Sequence, residues 1–406
     1  MLLKRFKRNL LNKLVYGLLV LVTILVPFQF DVYVPAFPQL AEYFSASESE
    51  VQLTLTATLI GMAIAQLVIG SVSDALGRRR PLIAMLILYV TSATACLFAP
   101  SIEGMTLLRF ILGFSASSGF VIVNAYIRDV STNAEAPRRF ATLLTINGVG
   151  PLLAPLVGGQ LLRFGDWKIV FIFLALLGTV SLTSIAIKLP ESLPKERRGR
   201  LQLSYIFENV GEVFSDRNFV IMGVTWGLVF AAAATYISGS PFAIQREFGL
   251  SETEYTYMFA FSNLLLLSAN FINRHFLKTR APLTMLRYGM SQAAFAALLL
   301  GTLAFQSEPP FYIVLAAFAL SVSTMGFTGA NATSLALRGH KERAGLAAGM
   351  FGFFAFGFAA ISAPISGLLF GASLTGVLSL MAIFLLSASL TVHLGLRKEA
   401  AQIIAD

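Results

Sequence analysis

Twelve apolar stretches, each about long enough to cross a bilayer as a helix, follow one another along this chain, and positive charge collects at every second connection between them. The stretches cover 14–34, 51–72, 82–98, 105–127, 140–164, 169–187, 219–242, 255–276, 283–305, 311–337, 346–370 and 374–394. With 56% apolar residues and only 13% charged, the sequence has too little charge for a water-solvated domain. An all-α membrane protein of 12 transmembrane helices is the fold class this pattern predicts.

Of the 30 Lys and Arg, 26 lie at the amino terminus, in or beside alternate connections, or in the tail; the others are Arg109, Arg163, Lys168 and Arg246. Lys and Arg resist translocation, so both termini are expected in the cytoplasm of a multi-pass inner-membrane protein. The net charge of +9 is thus a topology signal. Scattered through short turns, the basic residues form no continuous phosphate-binding patch, and nucleic acid is not an expected partner. The expected partners are membrane lipids and a small-molecule substrate, with a monomer as the working unit. Met1 to Phe30 resembles a secretory signal, but Asp31 stands where small residues would mark cleavage, so this stretch reads as a retained first span. Cys96 is the sole cysteine and reads as a packing residue, which excludes an intrachain disulfide and a cysteine metal site. No metal ion or cofactor is expected beyond protons as the coupling ion.

A polar segment separates six stretches from six. The domains expected are 1–188 and 218–406, two six-helix bundles, joined by a cytoplasmic linker, 189–217, whose 201–214 reads as a surface-lying amphipathic helix. A 6+6 plan of this kind suits a transporter with its substrate site between the halves near the midplane.

The most specific local pattern joins spans 2 and 3: Gly70, then Asp74, Gly77, Arg78, Arg79 and Arg80. Asp74 falls at the carboxyl end of a helix, where backbone carbonyls are already partly negative, so it needs nearby cations, and Arg78 and Arg79 can supply them. Gly70 reads as permitting close helix contact and Gly77 a tight turn. Three further segments stand out. Span 1 ends Phe30-Asp31-Val32-Tyr33-Val34-Pro35-Ala36; span 4 holds Leu108-Arg109-Phe110 and ends Asn124-Ala125-Tyr126-Ile127-Arg128-Asp129; span 5 reads Gly150-Pro151-Leu152-Leu153-Ala154-Pro155-Leu156-Val157-Gly158-Gly159.

In these segments the chain resembles the major facilitator superfamily, and within it the drug:proton antiporters of twelve spans, most of all the bicyclomycin-resistance (Bcr/CflA) group. The turn from Gly70 to Arg79 is similar to the superfamily's turn between spans 2 and 3. The resemblance implies a cytoplasmic gate in which Asp129 completes the charge cluster with Arg78. Span 5 resembles the antiporter motif, whose general form has Gly where this chain has Ala154. These motifs all lie in the first half.

An ionisable residue inside a span is costly enough to count as functional by default, which singles out Asp31 and Arg109. Asp31 is the natural proton carrier, since a carboxyl that meets different surroundings in two conformations can load a proton on one side and release it on the other. Arg109 keeps its proton and would supply a fixed charge, bonded to backbone or to a group such as Gln29, that tunes the proton site. Plainer readings are that Asp31 caps the end of span 1 and that Arg109 snorkels to the interface. In span 5, Gly158 and Gly159 remove side chains where another helix could press, and Gly150, Pro151 and Pro155 permit close packing and a bend. Tyr33, Asn124, Tyr126, Tyr236 and Phe261 are the candidate substrate contacts.

The function expected is proton-coupled antiport that exports amphipathic small molecules or drugs by alternating access. A dedicated exporter of one native metabolite shares every feature above, and a proton-coupled importer fits the span-5 motif less well. With no phosphate-binding Gly-Lys-Ser/Thr loop, an ATP-driven pump is not expected, and with no nucleophile and base set, neither is an enzyme.

Overall fold

The computed structural model describes residues 2–131, 136–199, 211–340, 344–370 and 373–396. Twelve long helices account for most of it: α1 (Leu2–Asp31), α2 (Glu48–Leu76), α3 (Arg79–Cys96), α4 (Ile102–Val130), α5 (Ala136–Leu161), α6 (Lys168–Lys188), α7 (Arg217–Phe248), α8 (Glu252–Phe276), α9 (Pro282–Ala304), α10 (Phe311–Ala336), α11 (Ala344–Phe370) and α12 (Leu374–Gly395). Ten of them are long and apolar enough to cross a membrane by length and composition. The exceptions are α3, which opens on Arg79 and Arg80, and α5, which contributes the shorter apolar stretch Val149–Leu161. Of the amphipathic segment expected at 201–214, residues 211–214 are helical and 201–210 lie outside the described residues.

Packing repeats between the halves. In the first, α1 packs on α4, α5 and α6, α2 on α4, and α3 on α4 and α6. Adding six to each label reproduces the second half: α7 packs on α10, α11 and α12, α8 on α10, and α9 on α10 and α12. Across the halves the main seams are α2 against α11 and α5 against α8, a pair that exchanges under the same rule. This is the pattern of two similar bundles related by an axis along the membrane normal. The fold is therefore the twelve-helix, two-bundle arrangement expected.

Local chemistry repeats as well. Ser47 caps α2 and Ser251 caps α8, each accepting from the backbone N–H three residues on, while Glu50 and Glu254 reach back to the capping residues' own N–H groups. Two residues before each cap the chain turns through a left-handed conformation, at Ser45 (φ 49°) and Gly249 (φ 65°). These boxes fix where two seam helices begin.

Within the first half α2 and α4 approach closely. A side chain at Gly113 would run into the backbone carbonyl of Thr58, and one at Gly61 into that of Phe110, so the two glycines let the helix backbones touch. Apolar residues on the outside, such as Ile172, Leu176 and Val180 along one face of α6, are exposed as lipid contact requires.

Gly113→Val is expected to push α4 off α2 and destabilise the protein by about 1–3 kcal/mol, the usual cost of overpacking. Thermal unfolding in detergent measures it, and an unchanged midpoint would show that the two helices are free to separate.

Candidate functional site

Two groups of side chains stand out, one at the end of the bundle that carries the α2 to α3 turn and one deep inside. At the first, Gly77 closes α2 with φ 88°, a conformation that glycine adopts without strain. The turn aims Arg78 inward, where it is 5% exposed. Its Nη1 lies 2.5 Å from Asp74 Oδ1 and donates to Ser73 Oγ at 2.7 Å, while its Nε donates to Asp129 Oδ2 at 2.9 Å. Arg78 thus ties α2 to α4. Arg79 turns elsewhere and donates to the carbonyl of Ala186 on α6 at 2.7 Å. Gly70, read from sequence as a contact glycine, has no neighbour within 4 Å of where a side chain would begin, so no close helix approach depends on it.

Glu191, just beyond α6, is the hub that the sequence reading missed. Its Oε1 accepts from the backbone N–H of Arg78 at 2.8 Å and of Leu193 at 3.1 Å, and its Oε2 from that of Arg79 at 3.2 Å. It thereby caps the amino end of α3, where backbone donors are unmet and an anion is favoured. Burial opposes ionisation of this carboxyl, yet the N–H groups of Arg78, Leu193 and Arg79 and the charge of Arg198 hold it below the ordinary Glu value. Ser192 Oγ donates to Asp129 at 3.0 Å, and the Gly199 N–H to the Asp74 carbonyl at 3.2 Å, so the chain after α6 is laced onto the turn. The only sequence signal for Glu191 was an acid placed between Pro190 and a run of bases.

The second group surrounds the end of α1. Arg109 is 0% exposed, which excludes snorkelling to the interface. Its Nη1 donates to the backbone carbonyl of Gln29 at 2.8 Å, and its guanidinium lies 4.2 Å from the centre of the Tyr33 ring. That carbonyl is one of the last four of α1, which have no partner within their own helix, so a cation there completes the helix end. Asp31 is the final residue of α1 and 3% exposed. Two positions from Gln29 on a helix is about 200° around, so Asp31 points away from Arg109. Among the described residues it forms no ion pair with Arg109, and no other hydrogen-bond or ion-pair partner meets it. Just past it, the turn Val34–Ala36 packs on α5, α7 and α8, where the Tyr255 hydroxyl of α8 lies 2.9 Å from Ser240 Oγ on α7. Arg109, bonded to the backbone at Gln29, and Asp31 thus occupy two separate settings on opposite sides of α1.

The glycines of α5 press on this region. A side chain at Gly150 would come within 2.5 Å of the Pro27 ring of α1, one at Gly158 would strike the Val32 carbonyl, and one at Gly159 would meet Thr256 of α8 at 2.8 Å. Pro151 and Pro155 lie inside α5 and remove two helix donors there.

The remaining candidates scatter. Tyr33 is buried, with its hydroxyl 3.0 Å from Thr54 Oγ1 and its ring edge-on to Phe37 and Phe171. Tyr126 belongs to the turn cluster, where its hydroxyl donates to the Pro190 carbonyl at 3.0 Å. Tyr236 donates to Ser262 Oγ at 3.1 Å and stacks on Phe259. Asn124 is half-buried on α4. Phe261, 44% exposed, falls with Tyr257, Leu264 and Phe271 on the outward stripe of α8, a lipid-facing position that the aromatic side chain alone did not reveal. No group of three or more metal-ligating side chains occurs among the described residues.

Glu191→Gln keeps the shape of the cap and removes its charge. At neutral pH the variant is expected to unfold more easily, by about 1–2 kcal/mol, as charge-assisted bonds are lost. A group held below its ordinary value stabilises the fold above that value and ceases to as it protonates, so the gap should close as pH falls through the carboxylate range. Thermal unfolding across pH tests this, and a gap of constant size would rule the charge out.

Comparison with known proteins agrees with this architecture. The chain is 34% identical over 353 residues to YdgK of Bacillus subtilis, an uncharacterized MFS-type transporter, covering 86% of this chain and 88% of that one. It is 26% identical over 271 residues to a bicyclomycin resistance protein homolog of Haemophilus influenzae, covering 67% and 68%. Its fold matches the xylose transporter XylE from E. coli, in a partially occluded inward open conformation, with TM-score 0.74 at 14% identity over 93% of this chain and 96% of that one. The sequence profile described as Major Facilitator Superfamily matches residues 19–364, and the chain belongs to that superfamily of membrane transporters.

Proposed function

We propose that this transporter exports amphipathic small molecules, drugs among them, across the inner membrane in exchange for protons, with both termini in the cytoplasm. One observation carries the reading: Asp31 is 3% exposed at the broken end of α1, on the side of the helix away from Arg109, with no bonding partner among the described residues. A lone buried carboxyl is costly unless some state of the working cycle protonates or pairs it. Placed where the halves meet, it is positioned to load a proton when one side opens and to release it when the other does.

Kinship with a bicyclomycin resistance homolog supports export of drug-like solutes, and the α5 glycines that clamp Val32 and Thr256 support a helix whose close packing resists leakage between turnovers. The membrane potential supplies about 2.3 kcal/mol per elementary charge per 100 mV, a sufficient drive without ATP. Within the reading, Asp31 carries the proton and Arg109 anchors the helix end that presents it. The cluster of Asp74, Arg78, Asp129 and Glu191 closes the cytoplasmic side.

Asp31→Asn is expected to reduce pH-gradient-driven efflux in proteoliposomes to the level of protein-free vesicles while the protein elutes from size exclusion as a single folded species. Undiminished efflux would take Asp31 out of the coupling mechanism.

A further inference from the structure

The face of α2 that meets the second half can be followed by helical spacing. At one end Glu48 forms an ion pair with Arg246 of α7. Further along, Gln66 lies with its backbone carbonyl against Gly349 and its side chain against Gly352 of α11. At about 100° per residue, Gln52 lies one turn from Glu48 and within about 40° of the direction of both Glu48 and Gln66. The internal repeat gives the same placement independently. Gln52 follows Ser47 as Thr256 follows Ser251, and Thr256 lies on the other seam, against Gly159 of α5.

The two glutamines on this face differ. Gln66 donates to Ser117 Oγ at 3.1 Å. Gln52 is 0% exposed, and neither its Nε2 nor its Oε1 has a hydrogen-bond partner among the described residues. Its backbone carbonyl does accept, from Thr56 Oγ1 at 3.3 Å, so the deficit belongs to the side chain alone. Nearby, Phe37 and Phe242 close the contact between the halves with ring centres 5.9 Å apart, while Arg246 is 57% exposed. The unmet amide therefore sits just beneath a surface ion pair.

A buried carboxamide with both atoms unmet weakens the state that buries it. The geometry points to Gln52 as a hydrogen-bonding seat on the route between the halves, filled when the seam beside Glu48 and Arg246 parts. The group that fits both donates and accepts: a hydroxyl or carboxamide of the passing solute, or water. With the seam closed the seat is empty of partners, so Gln52 biases this end toward opening, and an apolar side chain of like size holds it shut. Only the solute as source rests on the transport reading above.

The test uses Thr256→Cys in a Cys96→Ala background, which leaves a single thiol on the other seam at the same end. Its labelling by a membrane-impermeant maleimide reads how often that end opens. Gln52→Leu and the closer-shaped Gln52→Met are each expected to slow labelling about tenfold, and Gln52→Asn to stay within about twofold of the parent. Unchanged labelling in both apolar variants, with each protein monodisperse, overturns the seat. Efflux from proteoliposomes then assigns its source, with chloramphenicol, which carries hydroxyl and amide groups, against tetraphenylphosphonium, which carries neither. A rise in KM for chloramphenicol alone in Gln52→Met assigns the seat to solute, and equal changes for both assign it to water. If the parent moves neither compound, the solute arm falls with the transport reading, while the labelling result still decides the seat.

Discussion

A hydrogen bond from Arg109 to the carbonyl of Gln29 sets the geometry on which the interior depends. α1 stops at Asp31, partway through a lipid-embedded bundle, and leaves its last carbonyls without helical partners where neither water nor lipid can supply donors. A guanidinium delivered from α4 meets one of them. On that same stretch of α4, Gly113, with Gly61 of α2, lets the two backbones touch, and Arg109 one turn away is fully buried. With the Gln29 side of α1 held by α4, the opposite side is the one that carries Asp31. The two charged residues are linked through the helix between them and not by direct attraction.

The halves share a scaffold and divide the chemistry. Packing partners and capping boxes recur, yet the charges do not. Counting back from Ser251 as Asp31 counts back from Ser47, the second half has Thr235, whose hydroxyl donates to the Ala231 carbonyl of its own helix at 2.9 Å. A self-satisfied hydroxyl stands where the first half holds a carboxyl that has no hydrogen-bond partner among the described residues. α7 also runs on as one helix through the region where α1 breaks into the short turn Val34–Ala36. The break, the buried cation and the lone acid form one ensemble peculiar to the first half.

Much of this was legible in the sequence because it follows from one-dimensional signals. Hydropathy located most of the helices within a few residues, 82–98 against Arg79–Cys96 for example, though α1 begins at Leu2, well before the apolar stretch at 14–34, and the glycine at 77 marked a tight turn. Asp31 and Arg109 were conspicuous because charge in a span is rare. What failed was direction. Tyr126, Phe261 and Gly70 have suitable chemistry for the roles expected of them, but their surroundings are a loop carbonyl, the lipid-facing stripe and open space. Glu191 was invisible for the opposite reason: its partners are backbone N–H groups far away in sequence, which no residue pattern announces. The repeated Ser-Glu-x-Glu starts of α2 and α8 are visible once the two copies are aligned, and they locate Gln52 on its seam.

The exchange of seams between the halves bears on how the protein is made. α5 finds its cross-half partner in α8, the second helix of the following bundle, but α2 finds its own in α11, nearly the last to be synthesised. While translation continues, the flank of α2 that carries Glu48, Gln52 and Gln66 must stay bare to lipid or to an insertion partner. Assembly is therefore completed from the carboxyl-terminal direction, and a chain cut short before α11 would leave the membrane with an adhesive half-molecule.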